Sequence, residues 1–128
     1  MHLNKIHHIA IICSDYQKSK HFYVEVLGLS ILKETFRKER RSYKLDLALN
    51  GVYMIELFSF PDPPKRVSRP EAQGLRHLAF EVDNISQSIL ALKSHGVPTE
   101  EVRIDKLTNK KFTFFSDPDE LPIELYEK

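Results

Sequence analysis

Hydrophobic and polar positions along the chain follow one order that occurs twice. In the first half, a β-branched apolar stretch precedes a segment whose apolar residues recur at helical spacing. Asp15 is placed to cap that helix and Gly28 to end it. The strand-like segments of this half are 6–13, 30–36, 43–49 and 53–60. The pattern predicts one βαβββ unit.

The second half repeats this order. Asn84 and Gln87 resemble a capping box ahead of apolar residues at helical spacing, and Gly96 is placed to end the second helix. The strand-like segments here are 78–82, 101–104, 111–115 and 123–126. The sequence therefore predicts an α+β fold made of two tandem βαβββ modules.

Direct comparison of the two halves supports an internal repeat. The segment that begins at His8 (HIAI) corresponds to the segment at His77 (HLAF), and IELF around Glu56 corresponds to IELY around Glu124. Between them, residues 61–74 contain four prolines, which interrupt regular hydrogen bonding. We expect one domain over 1–128, with module one at 1–60, a linker at 61–74 and module two at 75–128.

Composition narrows the functional classes. The chain has 128 residues and a formal net charge of +1, without the basic excess of nucleic-acid-binding proteins. No apolar run approaches the length of a membrane span, and a single cysteine forms no internal disulfide. We expect a cytoplasmic protein that acts on a small molecule and binds neither nucleic acid nor a membrane.

The repeat places two histidines and two glutamates at equivalent strand positions. Glu56 and Glu124 each lie between apolar neighbours, where a carboxylate is costly to bury without a partner. If a pseudo-twofold axis relates the modules, these carboxylates meet His8 and His77 around one point. Imidazole nitrogens and carboxylate oxygens suit a divalent ion such as Zn, Ni, Co, Mn or Fe(II). His7 falls on the opposite strand face, so we expect it to take no part.

Other residues are candidates for substrate contacts. A basic cluster lies between two predicted strands and consists of Arg37, Lys38, Arg40, Arg41 and Lys44. It is interpreted either as a solvated turn or as a lid that attracts an anionic substrate. Phe58 and Tyr126 share strand faces with the glutamates, and they either line a pocket or belong to the core.

The paired βαβββ modules with this His, Glu, His and Glu set resemble the vicinal oxygen chelate superfamily. The helix exit Leu27-Gly28-Leu29 and the turn Asp117-Pro118-Asp119 are similar to those of the family. The resemblance covers nearly the whole chain and implies a cup-shaped mixed sheet, the glyoxalase/bleomycin resistance/dioxygenase fold. It also implies a homodimer, although the sequence leaves open whether the site forms within one chain or across two.

Within the superfamily, the full quartet of ligands resembles glyoxalase I, a lactoylglutathione lyase. That resemblance implies one divalent metal ion, Zn or Ni first, that stabilises an enediolate formed from a hemithioacetal or a related vicinal-oxygen substrate. Glu124 or Glu56 would be the general base. Where glyoxalase I has an arginine that binds glutathione, this chain has Ile12. The sequence therefore leaves open which thiol is the co-substrate. Dioxygenase or thiol transferase chemistry, and non-catalytic binding of a small molecule, are the alternatives.

Overall fold

A computed structural model describes residues 1–128 as two compact units, Met1–Pro64 and Lys65–Lys128. Each unit contains a four-stranded sheet and one main helix. The α+β fold with two tandem βαβββ modules is confirmed. No helix is long and apolar enough to cross a membrane.

The first unit contains four strands and one α-helix. The elements are β1 (Ile9–Cys13), α1 (Tyr16–His21), β2 (Ser30–Arg37), β3 (Ser42–Leu49) and β4 (Val52–Ser59). The strand order is β1-β4-β3-β2, in which β1 is parallel to β4 and the other pairs are antiparallel. The parallel pair matters for function because it sets the N-terminal end of β1 beside the middle of β4.

Local sequence explains how α1 begins and ends. The Asp15 side chain accepts a hydrogen bond from the backbone N–H of Lys18 at 3.0 Å, as an N-cap does. The chain then continues as a π-helical turn over Phe22–Val26, which the helical spacing did not predict. Gly28 follows with φ +74°, a backbone conformation that glycine adopts without a steric penalty.

Alternate residues of the central strands form the core of the first unit. Leu45 and Leu47 on β3 and Leu57 on β4 are fully buried. Side chains between them in sequence, including Asp46 and Glu56, therefore point to the other face of the sheet. This alternation gives the sheet one apolar face for packing and one face that carries polar chemistry.

The second unit repeats the arrangement with shorter outer strands. Its elements are β5 (Leu78–Val82), α2 (Ile85–Ser94), β6 (Arg103–Ile104), β7 (Lys111–Ser116) and β8 (Pro122–Glu127). The strand order is β5-β8-β7-β6, and β5 is parallel to β8. Ile123 and Leu125 of β8 are buried, so Glu124 between them lies on the opposite face.

Two strands are shorter than the sequence predicts. The strand predicted at 101–104 is reduced to two residues in β6. The strand predicted at 6–13 begins at Ile9, which leaves His8 just ahead of it. In the turn before β8, Glu120 adopts the left-handed backbone conformation, with φ +67°. Glycine would adopt this conformation at lower cost.

Replacement of Asn84 by alanine is expected to destabilise the second unit. The Asn84 side chain accepts a hydrogen bond from the backbone N–H of Gln87 at 3.0 Å and so caps α2. Loss of such a cap costs about 1 kcal/mol. Denaturant unfolding of Asn84→Ala should show this decrease in the free energy of unfolding. Ser86→Ala, at an exposed position two residues later in the first turn of α2, is the matched control and should be nearly neutral.

Candidate metal centre

The first unit brings His8 and Glu56 into contact. Because β1 runs parallel to β4, Ala10 lies opposite Glu56, and the preceding residue on the same face, His8, reaches the carboxylate. His8 Nε2 is 3.2 Å from Glu56 Oε2, and the two side chains are 35% and 13% exposed. The pair is therefore partly buried and partly accessible to solvent.

The second unit forms the equivalent pair. Ala79 lies opposite Glu124, and His77, two residues earlier, places Nε2 3.1 Å from Glu124 Oε2. The two side chains are 32% and 14% exposed, nearly the values of the first pair. The sequence repeat is thus also a repeat of side-chain geometry.

The two carboxylates differ in their other contacts. Glu56 Oε1 accepts hydrogen bonds from Lys44 Nζ at 2.7 Å and from the Tyr53 hydroxyl at 2.5 Å. Lys44 also contacts Asp46 at 2.6 Å, and Tyr53 donates to Asp46 at 3.2 Å. No polar side chain other than His77 contacts the Glu124 carboxylate. One glutamate is held at both oxygens and the other at a single oxygen.

This network fixes the charge state of its members. Burial alone would raise the pKa of Glu56, but hydrogen bonds from Lys44 and Tyr53 outweigh it and hold that pKa below its usual value. The pKa of Lys44 is raised, first by its hydrogen bond to Asp46 and then by Glu56. Burial and the neighbouring Glu56 carboxylate raise the pKa of the Tyr53 phenol. Glu56 is therefore a stable anion and Lys44 a stable cation.

The register of the strands explains the difference between the two sites. Asp46 lies opposite Glu56 on β3, whereas Phe114 lies opposite Glu124 on β7. The Phe114 ring contacts the His77 ring edge-on, with centroids 5.2 Å apart. The second pair thus has an aromatic neighbour where the first has an acid.

A β-bulge brings Tyr53 to the Glu56 face. Leu47 pairs with Ile55, but the next residue, Ala48, pairs with Tyr53, so Met54 is the extra residue. In a regular strand without the bulge, Met54 would lie on the face of Glu56 and Tyr53 on the opposite face. The sequence prediction therefore missed Tyr53, and only the pair Asn50-Gly51, a tight-turn signal beside the bulge, pointed to an irregularity there.

His7 was also missed. Its Nδ1 lies 2.8 Å from Nδ1 of His8, so one of the two nitrogens donates to the other. If His8 donates through Nδ1, its Nε2 presents a lone pair, which is the arrangement of a histidine ligand with a second hydrogen-bonding partner. His77 has no such partner, because its Nδ1 is buried without a hydrogen bond.

The chemistry of these pairs fits a divalent metal ion. Each pair combines an imidazole nitrogen with a carboxylate oxygen, and both atoms bind metal ions in their deprotonated forms. Each pair lies within one unit, and no group of three or more His, Cys, Asp or Glu side chains is arranged to hold a metal ion by itself. A pair therefore amounts to half of the predicted ligand set.

The predicted substrate-contact residues are divided between the two units. Phe58 is opposite Lys44 and shares the Glu56 face. Arg37 ends β2 on the same face, while Arg41 is exposed in the turn that follows. Tyr126 shares the Glu124 face, but its hydroxyl donates to Asp105 at 3.0 Å and so anchors the loop before β7.

Comparison with known proteins defines the family. The model of the glyoxalase/bleomycin resistance protein/dioxygenase superfamily matches residues 5–125. The chain belongs to this superfamily, whose members include lyases, isomerases and dioxygenases.

Individual relatives cover the chain almost completely. It is 63% identical to the protein YwkD of Bacillus subtilis over 128 residues, all of both chains. It is 50% identical to a glyoxalase family protein of Enterococcus faecalis of known crystal structure, with a TM-score of 0.91 and coverage of 99% and 100%. A probable lactoylglutathione lyase of Vibrio cholerae is 30% identical, with coverage of 97% and 91%.

Proposed function

We propose that this protein is a metal-dependent, glyoxalase-like lyase or isomerase that moves a proton between adjacent carbons of a hemithioacetal or a related vicinal-oxygen substrate. The observation that carries the proposal is the repeated contact of a histidine with a glutamate, at 3.2 Å in the first unit and 3.1 Å in the second. Similarity to a probable lactoylglutathione lyase supports the reaction class.

In this proposal His8, Glu56, His77 and Glu124 hold one divalent ion, with Zn or Ni as the first candidates and Co, Mn or Fe(II) as the others. When bound, such an ion would supply Lewis-acid polarisation of two adjacent substrate oxygens, which would acidify the neighbouring C–H bond. The two pairs supply the ligands either from one chain or from two copies in a homodimer. We expect the protein to act in the cytoplasm.

The contacts of the two glutamates support different roles for them in this proposal. Glu56 is held by Lys44 and Tyr53 at one oxygen and by His8 at the other, so it serves as a fixed ligand. Glu124 has a carboxylate oxygen that no protein side chain occupies. A general base must reach the carbon acid and accept its proton, so Glu124 is the base.

The reaction then balances without an external oxidant or reductant. Glu124 takes the proton from the carbon that bears the hydroxyl and the sulfur, and the bonding electrons move to the adjacent carbonyl. The protonated Glu124 returns the proton to the former carbonyl carbon, and the hydroxyl proton of the first carbon passes to the former carbonyl oxygen. The first carbon thereby becomes the thioester carbonyl and the second becomes the alcohol carbon. The product is an α-hydroxy thioester with the same atoms as the hemithioacetal.

A direct test uses the chelator-treated protein reloaded with Ni or Zn. Methylglyoxal hemithioacetals of glutathione, 2-sulfanylethanol and 3-sulfanylpropanoate are supplied in D₂O, and thioester formation and deuterium uptake are followed by NMR. We expect at least one adduct to react about a hundredfold faster with the loaded protein than with the metal-free protein. If the loaded protein leaves all three adducts unchanged, or instead opens catechol rings with Fe(II) and oxygen, the proposal is wrong.

A further inference from the structure

Arg37 stands out on the sheet face that carries Glu56. It lies opposite Ser42 across β2 and β3, and Ser42 is in phase with Lys44 and Asp46 along β3. Asp46 in turn lies opposite Glu56 on β4. Residues directly opposite each other in a sheet share a face, so Arg37 belongs to the surface on which the His8–Glu56 pair lies.

The guanidinium of Arg37 is held on an aromatic platform. Its central carbon lies 4.7 Å from the ring centroid of Phe58 and 5.5 Å from that of Phe60, both cation–π distances. One terminal nitrogen, Nη2, donates to the hydroxyl of fully buried Ser42 at 2.7 Å. The side chain is thus positioned before any ligand arrives.

Arg37 lacks the partner that a half-buried cation needs. No carboxylate lies within 4.0 Å of it, and its Nε is buried without a hydrogen-bond acceptor. Such a group is costly to leave unpaired, and a carboxylate or phosphate oxygen would compensate it. Lys44, the neighbouring cation of this face, is already paired with Asp46 and Glu56.

The second unit contains a similarly stacked arginine that has a carboxylate partner. Arg103 also lies over two aromatic rings, at 4.9 Å from Phe112 and 5.4 Å from Phe114. There the chain supplies its own acid, because Arg103 Nη2 lies 2.9 Å from Glu100 Oε2. The same stacking occurs at Arg37 without an internal anion.

We infer that Arg37, on its platform of Phe58 and Phe60, binds an oxyanion carried by the end of the substrate remote from the reacting carbon. Phe58 and Phe60 are two and four residues beyond Glu56 along the chain, or roughly 7 and 13 Å at the rise of a strand. The anion therefore lies on the order of 10 Å from the Glu56 carboxylate. This inference rests on the proposed function and assigns the substrate an elongated, acidic thiol portion.

The test measures binding apart from turnover. The probes are inorganic phosphate, 3-sulfanylpropanoate and the neutral 2-sulfanylethanol, each titrated into the full-length protein while the Arg37 Nε–H signal is followed by NMR. We expect both anions to shift that signal and the neutral thiol to leave it unchanged. Tighter binding of phosphate than of the carboxylate would mark a phosphate-bearing substrate, and the reverse order a carboxylate-bearing one.

Variants separate a specific site from general attraction. Arg37→Gln should weaken anion binding at least about tenfold, while Arg40→Gln, exposed in the adjacent turn, should change it less than about twofold. Equal losses in both variants, or no shift of the wild-type Arg37 signal, would overturn the inference. Because the wild-type signal is observed directly, a poorly folded Arg37→Gln protein does not prevent a decision. Anion binding without turnover of any adduct would leave the oxyanion site at Arg37 standing and would reject the proposed function, together with the assignment of that site to its substrate.

Discussion

Replacement of Glu124 by glutamine is expected to lower turnover of the metal-loaded protein by about 10²- to 10⁴-fold, the usual contribution of a general base. Glutamine keeps the shape of the side chain and an oxygen ligand but cannot accept the proton. This expectation rests on the second carboxylate oxygen of Glu124, which is not the one in contact with His77. The measurement is the rate of thioester formation divided by the metal content of the same sample.

Glu56→Gln is the matched control, since it makes the same change at the repeated position. Its oxygen is held by Lys44 and Tyr53, so the variant should alter metal affinity more than the proton-transfer rate per loaded site. If Glu56→Gln abolishes proton transfer while Glu124→Gln retains it, the roles of the two carboxylates are reversed.

Replacement of His77 by alanine should remove metal binding almost completely. In the proposed centre, His77 supplies the only nitrogen ligand of the second pair. Loss of a direct ligand exceeds the 10- to 100-fold effect typical of residues that merely orient one. Elemental analysis of purified protein, with competition against a chelator of known affinity, gives the measurement. His95→Ala, at the exposed end of α2, is the control histidine and should retain the metal.

Full metal retention by His77→Ala would remove the second pair from the proposed centre. His77 also contacts Phe114, so its loss could disturb the sheet without any metal being involved. His77→Gln keeps more of that packing, and circular dichroism of both variants distinguishes misfolding from ligand loss. A folded His77→Gln protein that still binds metal tightly would contradict the assignment equally.

The sequence determined most of the fold because its signals were local and repeated. Asp15 and Asn84 cap the helices that their side chains predicted, and the glycine after each main helix adopts positive φ. Period-two alternation correctly placed Glu56 and Glu124 on the face away from the core. The length of β6 was overestimated, because an apolar residue in a polar stretch does not reveal how many hydrogen bonds the strand will make.

The surroundings of the site were harder to predict. Lys44 was visible only as one charge of a basic cluster, although in the fold it pairs with Asp46 and Glu56. Tyr53 was hidden because a bulge changes the phase of its strand. These contacts depend on which residues lie opposite each other, and a single sequence contains that information only after the register is known.

The bulge at Met54 also gives the equivalent glutamates of the two modules different neighbours. The bulge changes the phase of β4, so the residue three positions before Glu56 faces the carboxylate while Glu56 itself keeps its place opposite Asp46. In the second module, Leu121 stands three residues before Glu124, as Tyr53 does before Glu56, and it is buried in the core. Strand phase thus changes the neighbours of a glutamate while the His and Glu positions of the repeat stay the same, and a designer who adds or removes a bulge would exchange those neighbours.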